Sequence, residues 1–388
     1  MIHIIPMLFL LAALALPAAT QWNDDGSLPS SLPPVSMDGP PGTKLKEFSF
    51  STPRVHGLTM IKDSLYGIYR SNMTKQEIYE FDTTTGAKKA TITLAGYPSN
   101  AWLYGLGWDS FRQLFVMGDT TLMGLALADM NGKITTFVST PGDRNVGAAY
   151  DPYRDGYWVC AWNTNSLKLY DAKSLPAVLM TINLAASGCT SCAGVAFSPV
   201  NDLVYTNSRS TQKGYVFDPG TGKLLLSYSG LSGGYGSAWW DRWQCPVVAE
   251  ETLWKITYRD AGYPRVDAQN TVQFGKTLQI SWKAGSSGGK IYKAAAAFTE
   301  RVAGIRFLNR YLPIATDDLF FLSLVMPSIF SGFEGSLDAN GTATGSVIVP
   351  NIPALAGYGF SIAWVVVDPG ALFGIEAFSG PWQVSITK

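Results

Sequence analysis

The residues of this chain best suited to chemistry are three acids, Asp119, Glu250 and Glu251. Each closely follows a strand-like segment, so each is expected in a connection between strands. Paired carboxylates can act as acid and base, or as acid and nucleophile, in glycoside hydrolysis when they lie roughly 5–10 Å apart. The sequence therefore allows a carbohydrate-active hydrolase or lyase that uses Asp119 with Glu250 or Glu251.

Other catalytic and metal-binding patterns have simpler explanations. Gly230–Gly234 fits the G-x-S-x-G pattern around Ser232, and His56 could pair with that serine. The pattern needs a strand-to-helix turn, whereas a glycine-rich connection between strands is favoured here. Asp338–Gly341 is typical of a hairpin turn, and the further acidic ligands of a calcium loop are absent from it. We predict no metal site and no cofactor.

Neutral polar and aromatic side chains, together with three charged ones, form a second set of candidates, for binding rather than catalysis. They are concentrated in segments that connect strands, where flat rings beside hydrogen-bonding groups suit carbohydrate or peptide ligands. The alternative is that Asn, Ser and Thr simply populate loops. The predicted ligand-binding residues are Asn72, Trp102, Asp119, Asn163, Arg209, Tyr235 and Glu250.

The four cysteines suggest a local covalent link. Cys189 and Cys192 are three positions apart, and in an exported chain this spacing favours a disulfide within a loop. Cys160 and Cys245 fall in predicted strands and are expected to be buried thiols, with no pairing derived for them.

A repeat must position all of these residues. Five glycines are each followed by an aspartate 24 or 25 residues later, and successive glycines lie 42 to 48 residues apart. A period of this length built from strands predicts a propeller or a similar array of four-stranded units. The pairs are Gly57/Asp82, Gly105/Asp129, Gly147/Asp171, Gly194/Asp218 and Gly236/Asp260.

Each unit begins with a small strand that ends on an aromatic residue before a turn. Examples are Gly105–Asp109, with Trp-Asp at its end, Gly147–Asp151, with Tyr-Asp, and Gly194–Ser198, with Phe-Ser. The aspartate that closes each pair is expected to begin the turn between the third and fourth strands by binding backbone N–H groups.

The fifth unit has no fourth strand, whereas a strand of that type, Lys44–Phe50, precedes the first unit. We predict that this strand completes the last unit and closes a five-bladed β-propeller over residues 43–264. The connections between second and third strands and between blades would then share one face, which we predict to bind the ligand.

This region resembles the secreted bacterial β-propellers of the YVTN/NHL-like and quinoprotein-like groups. The likeness covers Lys44–Tyr263 and lies in the Phe-Asp-x-x-x-Gly turns at Phe81–Gly86 and Phe217–Gly222. Those groups include binding scaffolds as well as enzymes, so the resemblance implies a fold rather than an activity.

Residues 267–388 are predicted to form a β-sandwich, because alternating segments are separated by Gly/Pro turns. The segment from Phe333 to Gly357 resembles a C-terminal module of secreted planctomycete-type proteins, which implies export and an all-β accessory domain. The predicted strands are Lys276–Trp282, Lys290–Phe298, Leu319–Met326, Gly332–Leu337, Ser346–Val349, Tyr358–Val367 and Trp382–Thr387.

The N-terminus and the composition indicate an exported, all-β protein. Residues 1–20 contain an apolar run of signal-peptide length, and 21–42 form a Pro/Ser/Gly linker that is expected to be disordered. Only 15% of residues are charged, and 29 basic residues balance 29 acidic ones. A neutral chain is a poor nucleic-acid binder, and no later segment is predicted to span a membrane.

Three hypotheses for function follow. The first is a secreted or cell-surface, non-enzymatic binding or adhesion protein that recognises an extracellular glycan or protein. The second is the hydrolase or lyase described above, and the third is a structural component of the cell surface. The oligomeric state does not follow from the sequence.

Overall fold

The computed structural model describes residues 44–388 except 50–54, 63, 73–74, 84, 99–100, 232–233, 241–244, 251–254, 260–263, 286, 299–304, 308–309, 313 and 372–373. The predicted signal peptide (1–20) and linker (21–42) lie outside the described residues, as do Ser232 and Glu251. The described part is all-β apart from one α-helix and two short 3₁₀ turns, Ala185–Ser187 and Pro353–Leu355. No helix within it is long and apolar enough to cross a bilayer.

Residues 44–259 form five four-stranded antiparallel sheets. The first described strand is β1 (Lys44–Ser49). Sheet 1 contains β2 (Val55–Ile61), β3 (Ser64–Asn72), β4 (Lys75–Phe81) and β5 (Lys88–Thr93). Sheet 2 contains β6 (Gly107–Asp109), β7 (Leu114–Asp119), β8 (Gly124–Ala128) and β9 (Ile134–Ser139). Sheet 3 contains β10 (Asn145–Asp151), β11 (Gly156–Ala161), β12 (Ser166–Asp171) and β13 (Val178–Asn183).

Sheets 4 and 5 continue the series. Sheet 4 contains β14 (Cys192–Ser198), β15 (Leu203–Ser208), β16 (Lys213–Phe217) and β17 (Leu224–Ser229). Sheet 5 contains β18 (Gly234–Trp240), β19 (Cys245–Glu250) and β20 (Lys255–Arg259), with β1 as its fourth strand. β1 runs antiparallel to β20 and places Phe48 opposite Ile256.

The inner strands, which are the first strands of sheets 1 to 5, contact one another in cyclic order. β2 lies beside β6, β6 beside β10, β10 beside β14, β14 beside β18, and β18 beside β2. The repeat glycines make these contacts possible. A Cβ atom at Gly147 would lie 2.6 Å from the backbone nitrogen of Val195, and one at Gly236 would lie 2.3 Å from the carbonyl oxygen of His56. Only glycine allows backbones to approach so closely.

Large side chains fill the space between neighbouring sheets. Trp158 of sheet 3, for example, belongs to one buried cluster with Val195 and Phe197 of sheet 4. Each fully buried apolar side chain of this size contributes about 1.5–3 kcal/mol relative to exposure. The sheets are therefore held together mainly by the packing of their faces.

The recurring aspartates have the predicted structural role in the four units where they are described. Asp82, Asp129, Asp171 and Asp218 each accept backbone N–H hydrogen bonds from the turn that follows, for example from Thr85 at 2.8 Å and Gly220 at 2.7 Å. Asp260 lies outside the described residues.

Residues 265–388 contain two larger sheets and a hairpin. Sheet 6 has the order β21 (Arg265–Ala268), β23 (Thr277–Lys283), β29 (Thr342–Ile348) and β27 (Phe330–Ser331). Sheet 7 has the order β22 (Thr271–Gln273), β32 (Trp382–Thr387), β30 (Gly359–Val367), β24 (Ile291–Ala297) and β28 (Glu334–Ser336), with β31 (Ile375–Phe378) also on β30. β25 (Ile305–Phe307) pairs with β26 (Arg310–Leu312).

Sheets 6 and 7 share one aromatic core. The ring of Trp282 in sheet 6 lies 5.8 Å from that of Trp364 in sheet 7, and both are fully buried. Their indole N–H groups donate to the carbonyl oxygens of Gly332 at 2.8 Å and Arg265 at 3.0 Å, so neither polar group is buried without a partner. Asp338 begins a turn, as predicted, by accepting from the Thr342 N–H at 2.8 Å. The hairpin predicted there is wrong, because this turn joins β28 of sheet 7 to β29 of sheet 6 and the two strands do not pair.

The strand predicted over Leu319–Met326 is wrong, because this segment is helix α1 (Asp318–Val325). Asp317 caps the helix by accepting a hydrogen bond from the Phe320 N–H at 3.1 Å. The segment is an apolar run that follows two aspartates and is interrupted only by Ser323, without the alternation of a half-buried strand. An N-cap acid before such a run favours a helix.

One turn of sheet 4 anchors the C-terminal sheets. Asn201 donates from Nδ2 to the Phe378 carbonyl oxygen at 3.1 Å and accepts from the Phe378 N–H at 2.9 Å. The neighbouring Val200 is buried in a cluster with Ile314, Ala363 and other residues of the C-terminal part. The C-terminal sheets therefore contact the turn that follows the inner strand of sheet 4.

Candidate ligand-binding cavity

A cavity of about 380 Å³ lies between the five inner strands. We call the end of the inner strands that carries the repeat glycines the glycine end, and the opposite end the cavity end. Residues from the later half of each inner strand and from the turns that follow line the cavity. Its aromatic and polar lining residues are Trp108, Tyr150, Phe197 and Trp239, together with Thr59, Lys62, Ser110, Gln113 and Ser237.

The repeat itself produces this cavity. Within one inner strand the residues grow from Gly147 to Ala148 and Ala149 and then to Tyr150. Glycine brings the backbones together at one end, and the larger residues separate the strands towards the other. Two of the aromatic rings pack against a neighbouring ring. The centre of the Trp239 ring lies 4.5 Å from that of Tyr205, and the centre of the Trp108 ring lies 5.2 Å from that of Phe115.

The turns around the mouth of the cavity are held by buried aspartates. Asp109, which is fully buried, accepts from the backbone N–H groups of Phe111 and Arg112, both at 2.9 Å. Asp151 binds the equivalent turn in sheet 3, from the Tyr153 N–H at 2.9 Å. These are the Asp-initiated turns expected after each inner strand.

Two arginines join the turns of neighbouring sheets through ion pairs, which together we call the ion-pair ladder. Arg112 of sheet 2 makes a bidentate pair with Asp155 of sheet 3 at 2.7 and 2.9 Å. Arg154 of sheet 3 makes the same pair with Asp202 of sheet 4 at 2.6 and 2.8 Å. Bidentate arginine–carboxylate pairs fix geometry as well as charge. The hydrogen bond from Arg112 lowers the pKa of Asp155 to about 2.

The ladder also reaches the cavity wall, because the hydroxyl of Tyr150 donates to Asp155 at 3.0 Å. In sheet 4 the position of the ladder arginine is occupied by Asn201, which binds Phe378 instead. Ion pairs thus connect the turns of sheets 2, 3 and 4 around the cavity mouth. The turn of sheet 4 is in addition hydrogen-bonded to the C-terminal sheets.

Five of the seven predicted ligand-binding residues have described side chains, and none of these five lines the cavity. Asp119 is fully buried and accepts four hydrogen bonds, from the Tyr97 hydroxyl at 2.8 Å and from the N–H groups of Trp102, Thr121 and Leu122 at 3.1, 2.7 and 2.5 Å. Burial raises the pKa of Asp119, against the opposing effect of these hydrogen bonds. Its carboxylate holds a turn together.

Glu250 is also buried and paired. Its Oε1 atom accepts from the Arg259 guanidinium at 2.7 Å and from the Thr257 hydroxyl at 2.5 Å. Neither of these donors is a partner of Asp119, and Asp119 belongs to sheet 2 whereas Glu250 belongs to sheet 5. The structure therefore does not bring these two carboxylates into one described site.

The remaining predicted residues are dispersed. Asn163 is exposed and accepts from the Arg144 N–H at 2.8 Å, and Arg209 is also exposed. Trp102 is half-buried, with its ring 6.1 Å from that of Tyr104. The backbones of Asn72 and Tyr235 lie in β3 and β18, but their side chains fall outside the described residues.

The predicted disulfide between Cys189 and Cys192 requires correction. Cys192 is bonded to Cys160, and Cys189 is a buried free thiol whose pKa is raised to about 12 by burial. Cys160 lies opposite Gly147 in sheet 3, at the point where β10 packs closely against β14. The close approach at the glycine end thus brings Cys160 to Cys192 in the next sheet. The side chain of Cys245 is outside the described residues.

Sequence reasoning missed the cavity residues, although a signal for them was present. An aromatic residue three positions after the repeat glycine recurs in four of the five inner strands, as Trp108, Tyr150, Phe197 and Trp239, whereas Met60 takes this position in β2. From the sequence this residue marks only the end of a strand, because its place beside the cavity depends on which inner strands are neighbours. Within the described part, no group of three or more His, Cys, Asp or Glu residues could hold a metal ion.

Comparison with known proteins gives a fold-level likeness only. No protein-family model and no curated protein matches the chain. Glutaminyl cyclase of Myxococcus xanthus matches at 10% identity and a TM-score of 0.46, over 56% of this chain and 95% of that chain. A nidogen/laminin complex matches at 16% identity and 0.38, over 50% and 72%. The Cps50 (Swd1) β-propeller domain of Myceliophteria thermophila matches at 11% and 0.36, over 51% and 67%. These values carry no argument about activity, so the description of the fold rests on its strand pairing.

Proposed function

We propose that this chain is an exported binding protein that holds a neutral carbohydrate in the axial cavity of a closed five-bladed propeller. The cyclic contacts of the inner strands and the pairing of β1 with β20 support closure at five blades. The two C-terminal sheets would form a β-sandwich domain that packs beside the cavity end through Asn201.

The composition of the cavity lining is the observation on which the proposal depends. Its four aromatic residues offer flat apolar surfaces, and Thr59, Ser110, Gln113 and Ser237 offer neutral hydrogen-bonding groups. Binding sites for small ligands combine apolar and aromatic walls with a few polar groups, in volumes of about 300–1,000 Å³. A cavity of about 380 Å³ suits one small unit of a ligand.

Binding is favoured over catalysis because the described lining contains neither a carboxylate nor a histidine, and Lys62 is its one charged residue. General acid–base hydrolysis of a glycoside needs two carboxyl groups across the bond that breaks. The acids proposed for that role, Asp119 and Glu250, are engaged by Tyr97 and Arg259 away from the cavity lining.

We also propose that the chain is exported from the cell. The apolar run in residues 1–20 predicts it, and the disulfide between Cys160 and Cys192 is of the kind that persists in oxidising compartments.

The test is direct binding by residues 21–388 to arrays of neutral sugars, acidic sugars and peptides, followed by calorimetry on the hits. We expect a neutral sugar to bind and to be recovered without turnover. Ala149→Leu, at a residue that lines the cavity and also belongs to the buried cluster between sheets 3 and 4, should weaken binding at least about tenfold, and denaturation of the same variant measures the loss of stability that overpacking adds. The control is Leu225→Ala on outer strand β17, where Leu225 is 45% exposed, and it should bind as the native chain does.

Three outcomes contradict the proposal. Binding of peptides or acidic sugars alone would assign a different ligand class, and release of a shortened sugar would assign an enzyme. Binding that Ala149→Leu leaves unchanged would place the site outside the cavity.

A further inference from the structure

Phe111 is an unusual residue at the rim of the cavity. It is 78% exposed, although it is a large aromatic residue. It lies in the turn after the inner strand of sheet 2, between Ser110 and Gln113, which both line the cavity. Because its neighbours in this turn line the cavity, the turn that carries Phe111 forms part of the rim.

The turn that carries Phe111 is held in place on both sides. The Phe111 N–H donates to Asp109 at 2.9 Å, and the next residue, Arg112, binds both Asp109 at 3.0 Å and Asp155 at 2.7 Å. The Arg112 guanidinium lies 5.5 Å from the centre of the Phe111 ring. A ring on a turn fixed in this way is pre-organised, which reduces the entropy lost on binding.

The charge around Phe111 favours a neutral ligand. The positive charge of Arg112 is compensated by two carboxylates, so this part of the rim does not attract anions strongly. The exposed face of Phe111 offers an apolar surface to a ring with C–H groups on one side, as in a pyranose. A sugar in the cavity that continues into a second unit would bring that unit to the rim.

We propose that Phe111 forms an outer subsite for the second or third ring of a neutral oligosaccharide whose terminal ring occupies the axial cavity. This inference rests on the proposed function, and it adds that the ligand is a chain rather than a single sugar. It assigns Phe111 to ligand binding, a residue outside both the cavity lining and the sites predicted from the sequence.

The test is calorimetry with neutral oligosaccharides of one to four units, taken from the series that binds best. For the native chain we expect the trisaccharide to bind at least about tenfold more tightly than the monosaccharide. Phe111→Ala should remove most of that gain and leave binding of the monosaccharide within about twofold, whereas Phe111→Trp should keep the gain. Phe111→Gln provides a second truncation of the ring should Phe111→Ala fail to fold.

The outcomes separate this inference from the proposed function. Equal affinity for all chain lengths, or an equal loss for monosaccharide and trisaccharide in Phe111→Ala, overturns the outer subsite and leaves the cavity site intact. Absence of binding at every length overturns both. Retention of the gain in both Phe111→Ala and Phe111→Gln would assign the additional contacts to another part of the rim.

Discussion

The same repeat packs the two ends of the inner strands in opposite ways. At the glycine end the strands approach until backbone lies against backbone, and a disulfide joins sheet 3 to sheet 4. At the cavity end the strands separate around a space of about 380 Å³, and ion pairs between turns hold the sheets together. We therefore expect larger side chains to destabilise the glycine end more than the cavity end. At the cavity end we expect stability to depend on the ion pairs between the turns.

Side-chain size along one inner strand therefore separates the positions that pack the sheets together from the positions that line the cavity. Gly147 and Ala149 are two positions apart in β10, so their side-chain positions lie on the same side of the strand. Gly147 has no room for a methyl group, whereas Ala149 borders the cavity. Substitutions at these two positions are therefore a direct test of the comparison.

Gly147→Ala is expected to have the largest effect. Its new methyl group would lie 2.6 Å from the backbone nitrogen of Val195, and backbone cannot move aside as a side chain can. Overpacking in a rigid site costs about 3 kcal/mol or more. Chemical denaturation should show a loss of this size in the free energy of unfolding.

Ala149→Val is the matched control, because it adds two methyl groups next to the cavity. We expect the free energy of unfolding to fall by about 1 kcal/mol, the lower end of the range for overpacking, because Ala149 borders the cavity although it also belongs to the buried cluster between sheets 3 and 4. Equal losses in the two variants would contradict the distinction between the two ends.

The disulfide gives the next largest expected effect. Cys160→Ala, with Cys192→Ala to avoid a new free thiol, should lower the free energy of unfolding by about 2–4 kcal/mol, since the bond closes a loop over a sequence separation of 32 residues. Cys189→Ala should cost less, as it removes a single buried thiol.

Peptide mapping under non-reducing conditions checks the connectivity directly. It should recover Cys160 linked to Cys192, with Cys189 alkylated only after unfolding because it is buried. A Cys189–Cys192 peptide would restore the pairing predicted from the sequence and remove the covalent link between sheets 3 and 4.

The repeat made much of the fold predictable, because period and turn chemistry are local signals. The strand at Lys44–Ser49 and the turn-binding roles of Asp82 and Asp338 follow from spacing and residue type. The turn at Asp338 was expected to form a hairpin, but it connects two different sheets, which the local signal does not reveal. Helix α1 was missed, since an apolar run alone does not distinguish a buried strand from a helix. Its N-cap acid, Asp317, was the available signal.

The candidate site was less predictable, because it depends on which sheets are neighbours. Cys160 and Cys192 are 32 residues apart and meet only because sheets 3 and 4 pack side by side. Asp119 has the residue type of a catalytic acid, but its partners Tyr97 and Trp102 come from the preceding connection. No sequence pattern pointed to Phe111, since its exposure in a turn beside the cavity depends on how the sheets pack together.

The smallest expected effect is a difference in pH dependence between the two ends. The Arg112 hydrogen bond lowers the pKa of Asp155 to about 2 at the cavity end, whereas burial raises the pKa of Asp119 on the opposite side. A lowered pKa stabilises the fold above about pH 4, the ordinary value for Asp, and this contribution is lost as the pH falls towards 2. A raised pKa acts in the opposite direction, so native Asp119 contributes more stability as the pH falls.

Asp155→Asn keeps the left-handed backbone at φ 46°, which asparagine tolerates. It should cost about 1 kcal/mol at pH 6, the upper range for a partly exposed ion pair, and the difference from the native chain should shrink between pH 4 and 2. For Asp119→Asn the difference from the native chain should instead grow on acidification. Unfolding by denaturant at pH 6 and pH 3 measures both. Parallel trends in the two variants would mean that Arg112 does not hold Asp155 ionised, and the ion-pair ladder would then not be what fixes the cavity mouth.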